Sequence, residues 1–166
     1  VKKVNFNLAV LPVVKIISSM PVYLVLIMVA IAITVLMHEP PSLYVLQIFY
    51  YTFSSLALLL GLGLLTSSLN VFFKDINNIV QVITQFGFWL TPIFWQMKSF
   101  SPEAQFYLKL NPMAYIVEGY RDSLFANQWF WQKPEQTIYF WCFTLAILIL
   151  GHVAFKRLQP HFSEVF

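Results

Sequence analysis

Residues 44–73 read YVLQIFYYTFSSLALLLGLGLLTSSLNVFF, an unbroken run without Asp, Glu, Lys or Arg, closed by Lys74 and Asp75. A helix that crosses a bilayer needs about 20 apolar residues to cover roughly 30 Å of hydrocarbon. At about 1.5 Å per residue this run makes a helix of about 45 Å, so it must tilt, bend or protrude. Gln47, Tyr51, Ser54 and Ser55 recur on one of its faces, and Gly61, Gly63, Ser67 and Ser68 form a small-residue patch lower down. The Gly63-x-x-x-Ser67 spacing permits a second helix to approach closely. Gly61-x-Gly63 is no nucleotide loop, because it lies in an apolar run with no Lys after it.

Three further runs extend the pattern on either side. Residues 8–37 form a first span, with Lys15 near its start and a break at His38, Glu39, Pro40 and Pro41. Residues 76–97 form a third, interrupted at Pro92, and residues 137–155 a fourth, ended by Lys156 and Arg157. The whole chain of 166 residues is 59% hydrophobic and only 10% charged, against about 25% charged residues in soluble domains. Its apolar surface therefore belongs in lipid. The expected fold is all-α, a helical membrane bundle with about four transmembrane helices in one domain spanning 1–166. The chain opens on Val1 rather than Met and reads as a piece of a longer protein.

Charge and chemistry exclude several classes. The net charge of +3 is carried by scattered basic residues, which gives no stripe for nucleic acid. The single Cys142 can form no internal disulfide and supplies no metal set. His152 and His161 have no ligand-spaced neighbours, and neither a Walker A motif nor a Ser-His-Asp arrangement is present. Orientation follows from the excess of Lys and Arg on cytoplasmic sides. With four crossings, Lys2, Lys3, Lys15, Lys74, Lys156 and Arg157 share one side, and the turn at 38–41 lies opposite, so both ends are expected in the cytoplasm.

The loop 98–136 then lies outside and carries two helix starts. Ser101-Pro102-Glu103 places Ser as N-cap and Pro at the first helical position, and Asn111-Pro112 repeats the signal. Helices are expected over 102–110 and 112–125. The second is too short to span, and it contains Glu118, Arg121 and Asp122, each costing roughly 2.5–3.5 kcal/mol at a bilayer centre. Both should re-enter the outer face or line a wet vestibule.

The third span holds the most informative pattern. Asn77, Gln81, Thr84, Phe88, Thr91 and Trp95 recur at helical steps on one face, with Asn78, Gln85 and Pro92 flanking. Ile79, Val82, Ile83, Phe86, Leu90, Ile93 and Phe94 occupy the other. Such a helix meets protein or water on one side and lipid on the other. Two readings stand: hydrogen bonding between helices of the bundle, or a translocation path in which amides bond sugar hydroxyls and the rings of Phe88 and Trp95 stack on sugar faces. Gln47 and Tyr51 join that candidate path from the second span. In the outer helix, Glu118 and Arg121 are spaced to pair, while Tyr115, Glu118 and Asp122 share a face. The same carboxylates are the best catalytic candidates of the chain, although a salt-bridged helix at the membrane surface explains them as well.

The segment Leu69-Asn70-Val71-Phe72-Phe73-Lys74-Asp75-Ile76, followed by Thr91-Pro92-Ile93-Phe94-Trp95, Leu110-Asn111-Pro112-Met113 and the pattern Tyr115, Glu118, Tyr120-Arg121, resembles the permeases of type-2 ABC exporters. It is most similar to the branch that exports teichoic acids, O-antigens and capsular polysaccharides. The resemblance implies a six-span permease of which this chain is spans three to six, preceded by an amphipathic cytoplasmic helix. It also implies two permeases working with two ATPase subunits in a bacterial cytoplasmic membrane, and a lipid-linked glycan as cargo. ATP and Mg would be held by the partner ATPase, with no cofactor in this chain. Tyr115, Glu118, Arg121 and Asp122 would then sit on an outer gate helix within a re-entrant pair. The alternatives are a membrane-embedded enzyme of envelope glycan assembly, using Glu118, Arg121 and Asp122, and a structural membrane subunit.

Overall fold

The computed structural model describes residues 10–37, 42–73 and 75–158. The break at 38–41, Lys74 and the termini that carry Lys2, Lys3 and His161 lie outside the described residues. Among the described residues six α-helices follow in order: α1 (Val10–Leu36), α2 (Gln47–Asn70), α3 (Ile76–Leu90), α4 (Pro102–Lys109), α5 (Pro112–Arg121) and α6 (Pro134–Leu158). No strand occurs among the described residues. Among the described residues three segments are long and apolar enough to cross a membrane: Val10–Leu36, Leu43–Asn70 and Pro134–Leu158. The second begins with a 3-10 turn, Leu43–Leu46, that runs straight into α2.

Lipid offers no partner for a stray hydroxyl, and the spans solve this within the helix. Ser18 donates to the Val14 carbonyl at 2.8 Å, Thr66 to Leu62 at 2.8 Å and Ser68 to Leu65 at 2.9 Å. The principal packing is α2 against α6, and it works through absent side chains. A Cβ at Gly151 would lie 2.7 Å from the Gly61 carbonyl oxygen, and one at Gly61 would lie 3.0 Å from the backbone nitrogen of Leu148. Gly63 faces α1 instead, where a Cβ would sit 3.2 Å from Pro12. The small-residue patch is thus a packing seam.

The buried core joins Tyr51 and Leu58 of α2, Tyr115 and Ile116 of α5 and Phe140 of α6. α5 is therefore part of the core. In α1 the apolar window is uncovered by the rest of the chain, and α3 has no buried residue at all.

The third span departs most from expectation. The helix stops at Leu90, not at 97, because Thr91 precedes Pro92 and takes the extended conformation, φ −86° and ψ 135°. A proline ring clashes with a helical residue before it, which forces this choice. The fifteen residues of α3 make about 22 Å of helix, short of roughly 30 Å of hydrocarbon. Helices α4 and α5 start where the caps predict: the Ser101 and Asn111 side chains accept from the backbone N–H groups of Ala104 and Met113. The first ends at Lys109. The second leaves α geometry at Arg121 and continues as a π turn, Asp122–Ala126, stopped by Asn127 at φ 52°. The last span starts at Pro134 rather than 137 and runs on to Leu158.

Candidate functional site

Ending α3 at Leu90 leaves a bent, non-helical segment at 91–96 whose polar groups need partners. The chain supplies several of them from the two ends of α5. At its start, Asn111 uses both halves of its amide. The oxygen caps α5 by accepting from Met113 N–H at 3.0 Å, and Nδ2 donates to Thr91 Oγ1 at 2.9 Å. Thr91 in turn donates to the Gly87 carbonyl at 2.6 Å, satisfying the last turn of α3. At the other end of α5, the Arg121 guanidinium donates to the Ile93 carbonyl at 2.7 Å and to the Trp95 carbonyl at 3.0 Å. The Trp95 indole closes the bend by donating to the Trp89 carbonyl at 3.3 Å.

Arg121 also pairs with Glu118 at 3.2 Å, as the spacing predicts. Both side chains are about a quarter to a third exposed, so the ion pair itself contributes little. Its effect is to aim the guanidinium fork. Asp122 does not join this group: it pairs with Lys133 at the start of α6. The two carboxylates that share a face are therefore held by different cations on different elements. That arrangement braces a helix at both its C-terminal corners.

Tyr115 and Tyr120 fasten α5 to the spans. The Tyr115 hydroxyl meets Tyr50 and Thr137, each at 3.0 Å, and its ring stacks on Phe140. The Tyr120 hydroxyl bonds that of Tyr23 on α1, which also bonds Thr52 at 2.5 Å. Burial pushes the pKa of both phenols, Tyr115 and Tyr120, far above the ordinary tyrosine value, so each stays a neutral hydroxyl. Gly119 makes the fit possible, because a Cβ there would lie 2.0 Å from the Tyr51 ring.

The sequence-predicted site thus divides. Thr91, Trp95, Tyr115, Glu118, Arg121 and Asp122 gather around α5. Gln47 and Tyr51 line no open path within the chain: both are 2% exposed. Gln47 is clamped to the loop before α6, donating to the Gln128 carbonyl at 2.8 Å and accepting from Phe130 N–H at 2.7 Å. Asn77, Gln81, Thr84, Gln85 and Phe88 stand apart on α3, all exposed. Among the described residues the side chains of Gln81 and Gln85 make no hydrogen bond. Asn111 as a donor, Lys133, Tyr23 and Gly119 were not legible as site residues, since each acts on a partner distant in sequence.

α3 is thus amphipathic and bare on both faces, and the segment after it is held by Asn111 and Arg121 at the two ends of α5. Residues 3–125 match the family described as ABC-2 type transporter. The chain belongs to that family. It is a multi-pass membrane protein. Two curated relatives are each named O-antigen export system permease protein RfbA, both from Klebsiella pneumoniae. They are 26% and 27% identical over 105 residues, which is 63% of this chain and 39% of each relative. The chain spans about two-fifths of the length of these relatives.

Proposed function

We propose that this chain is the rear part of the permease of an ATP-driven exporter that moves a lipid-linked envelope polysaccharide across the bacterial cytoplasmic membrane. The observation that carries the reading is α3: its amides and Phe88 are exposed, as is its apolar face, and among the described residues Gln81 and Gln85 have no hydrogen-bond partner. A buried unpaired amide in lipid is costly, so the amide face meets water, cargo or a second copy of the permease. Loose bonding by neutral amides and rings suits a polymer that must be gripped and released at every step. The segment 91–96 completes the third crossing on the outer side, where α4 and α5 form the exit. Both ends of the chain then lie in the cytoplasm, beside an ATPase subunit that binds ATP and Mg. The kinship with O-antigen export permeases supports this cargo, and teichoic acid or capsule shares the same chemistry.

Two measurements on the full-length permease test it together. Affinity purification from mild detergent should recover an ATPase with a Walker A motif. Depletion in the source bacterium should leave finished, lipid-linked polymer on the inner side of the membrane. A permease that comes alone, with surface polymer unchanged on depletion, contradicts the reading.

A further inference from the structure

The loop between the π turn and α6 is built of rings. Tyr44 packs on Trp129 with centroids 4.8 Å apart, and Trp129 stacks on Trp131 at 4.4 Å with the planes 10° apart. Phe130 stands edge-on to Trp131 at 4.9 Å and stacks on Tyr50 at 4.0 Å. Its backbone N–H is the one held by the buried Gln47. The ladder is therefore anchored in the core at one end. At the other end Trp131 is 55% exposed. The five residues that follow it in the chain, Gln132, Lys133, Pro134, Glu135 and Gln136, line an open cleft of about 280 Å³. Lys133 is committed to Asp122, while the side chains of Gln132, Glu135 and Gln136 have no hydrogen-bond partner among the described residues.

A fixed indole face next to planar amide and carboxylate groups is the chemistry that receives a pyranose. The C–H face of the ring lies on the indole, and its hydroxyls exchange bonds with the amides and the carboxylate. An acyl chain would leave these polar groups unpaired. A lipid phosphate would meet Glu135 and a lysine already neutralised by Asp122. Because its neighbours already hold the ring in place, little side-chain freedom remains to be lost on binding. We propose that Trp131 and the cleft at 132–136 form a saccharide-binding subsite that holds a sugar ring of the polymer as it leaves the permease. This subsite rests on the export reading above.

The test uses the full-length permease with its ATPase, in cells exporting their own polymer, with a benzophenone photoprobe as Gln132→p-benzoylphenylalanine. Irradiation should give a permease adduct carrying glycan, and adding Trp131→Ala should lower its yield roughly fivefold, the scale of one lost aromatic contact. A parallel probe replaces Gln81 on α3. Glycan adducts at Gln81 with none at Gln132 overturn the subsite and leave the export reading standing. Lipid adducts alone at Gln132, or a glycan yield indifferent to Trp131→Ala, also overturn it and make Trp131 an interfacial anchor. Absence of glycan at both positions overturns the export reading as well.

Discussion

Arg121 holds Trp95 by its backbone: the guanidinium donates to the Trp95 carbonyl at 3.0 Å, with a second bond to the Ile93 carbonyl at 2.7 Å. Three and five residues after α3 has ended, the chain is thus tied to the last turn of α5. A planar fork with donors at fixed angles can span two carbonyls two residues apart, and a lysine ammonium cannot match that geometry. The bend after α3 and the position of α5 are one mechanical unit.

Charge exchange at 118 and 121 separates this clamp from a simple ion pair. Were pairing all that mattered, Glu118→Arg with Arg121→Glu would restore what Arg121→Glu loses. A glutamate at 121 brings acceptors to two carbonyls that need donors, so the double variant should remain as defective as the single. Hydrogen bonds to charged groups contribute about 1.5–3 kcal/mol each, and partial exposure of Arg121 reduces the expected loss to about 1–3 kcal/mol in total. Thermal unfolding in detergent, together with export at matched membrane levels, reads the outcome; full rescue by the swap would reduce the clamp to an ion pair.

At the start of α5, Asn111→Asp keeps the oxygen that caps Met113 N–H and removes the donor to Thr91. Asn111→Ala removes both. The aspartate variant should lose less stability than the alanine variant, whose cap alone is worth about 1 kcal/mol. Thr91→Val should cost less in the Asn111→Ala background than alone, because the bond between them is already gone and only the bond to the Gly87 carbonyl remains to be lost. Additive losses in that double-mutant cycle would show that the Asn111–Thr91 bond contributes nothing.

Glycine variants probe the close approaches directly. Gly119→Ala drives a methyl into the buried Tyr51 ring, and Gly151→Ala drives one against the Gly61 carbonyl. Each should lower stability by about 1–3 kcal/mol, the usual cost of overpacking. Gly87→Ala meets nothing within 4 Å and should be neutral, or stabilising by up to about 1 kcal/mol through helix propensity. Melting of the detergent-solubilised protein ranks the three, and a Gly119→Ala variant as stable as Gly87→Ala would refute the seating of α5 on α2.

The Asp122–Lys133 pair pins the π turn to α6, and Asp122 is the more buried partner, its side chain 10% exposed against 30% for Lys133. Lys133→Met therefore strands a carboxylate in a dry site, whereas Asp122→Asn leaves the lysine able to reach water. The first should cost more than the second, and the double variant less than Lys133→Met alone. Equal losses in the two single variants, measured by thermal unfolding, would mean that Asp122 is better hydrated than its burial implies.

What the sequence disclosed follows the range of the forces involved. Uncharged runs and helix caps are local, so the long spans and the starts of α4 and α5 could be read from Tyr44, Ser101 or Asn111 and their neighbours. The end of α3 was signalled by Thr91-Pro92, yet the stripe continued in register to Trp95 and drew the helix too far. Periodicity counts side chains and is blind to carbonyls, which here find their donor at Arg121, 28 positions away from Ile93. Gln47 and Gln81 look alike on a helical wheel. One is buried by the loop at 128–130 and the other is left bare, and only tertiary packing tells them apart. Gly119 carried no signal at all until Tyr51 stood against it.

The central claim, that the bare polar face of α3 conducts the polymer, is tested most directly by surface export from the full-length permease carrying Gln81→Leu and Gln85→Leu. Since neither amide bonds anything among the described residues, the variant should fold, reach the membrane and still co-purify with its ATPase, while surface polymer falls severalfold. Export at the wild-type rate from such an assembled variant would contradict the account.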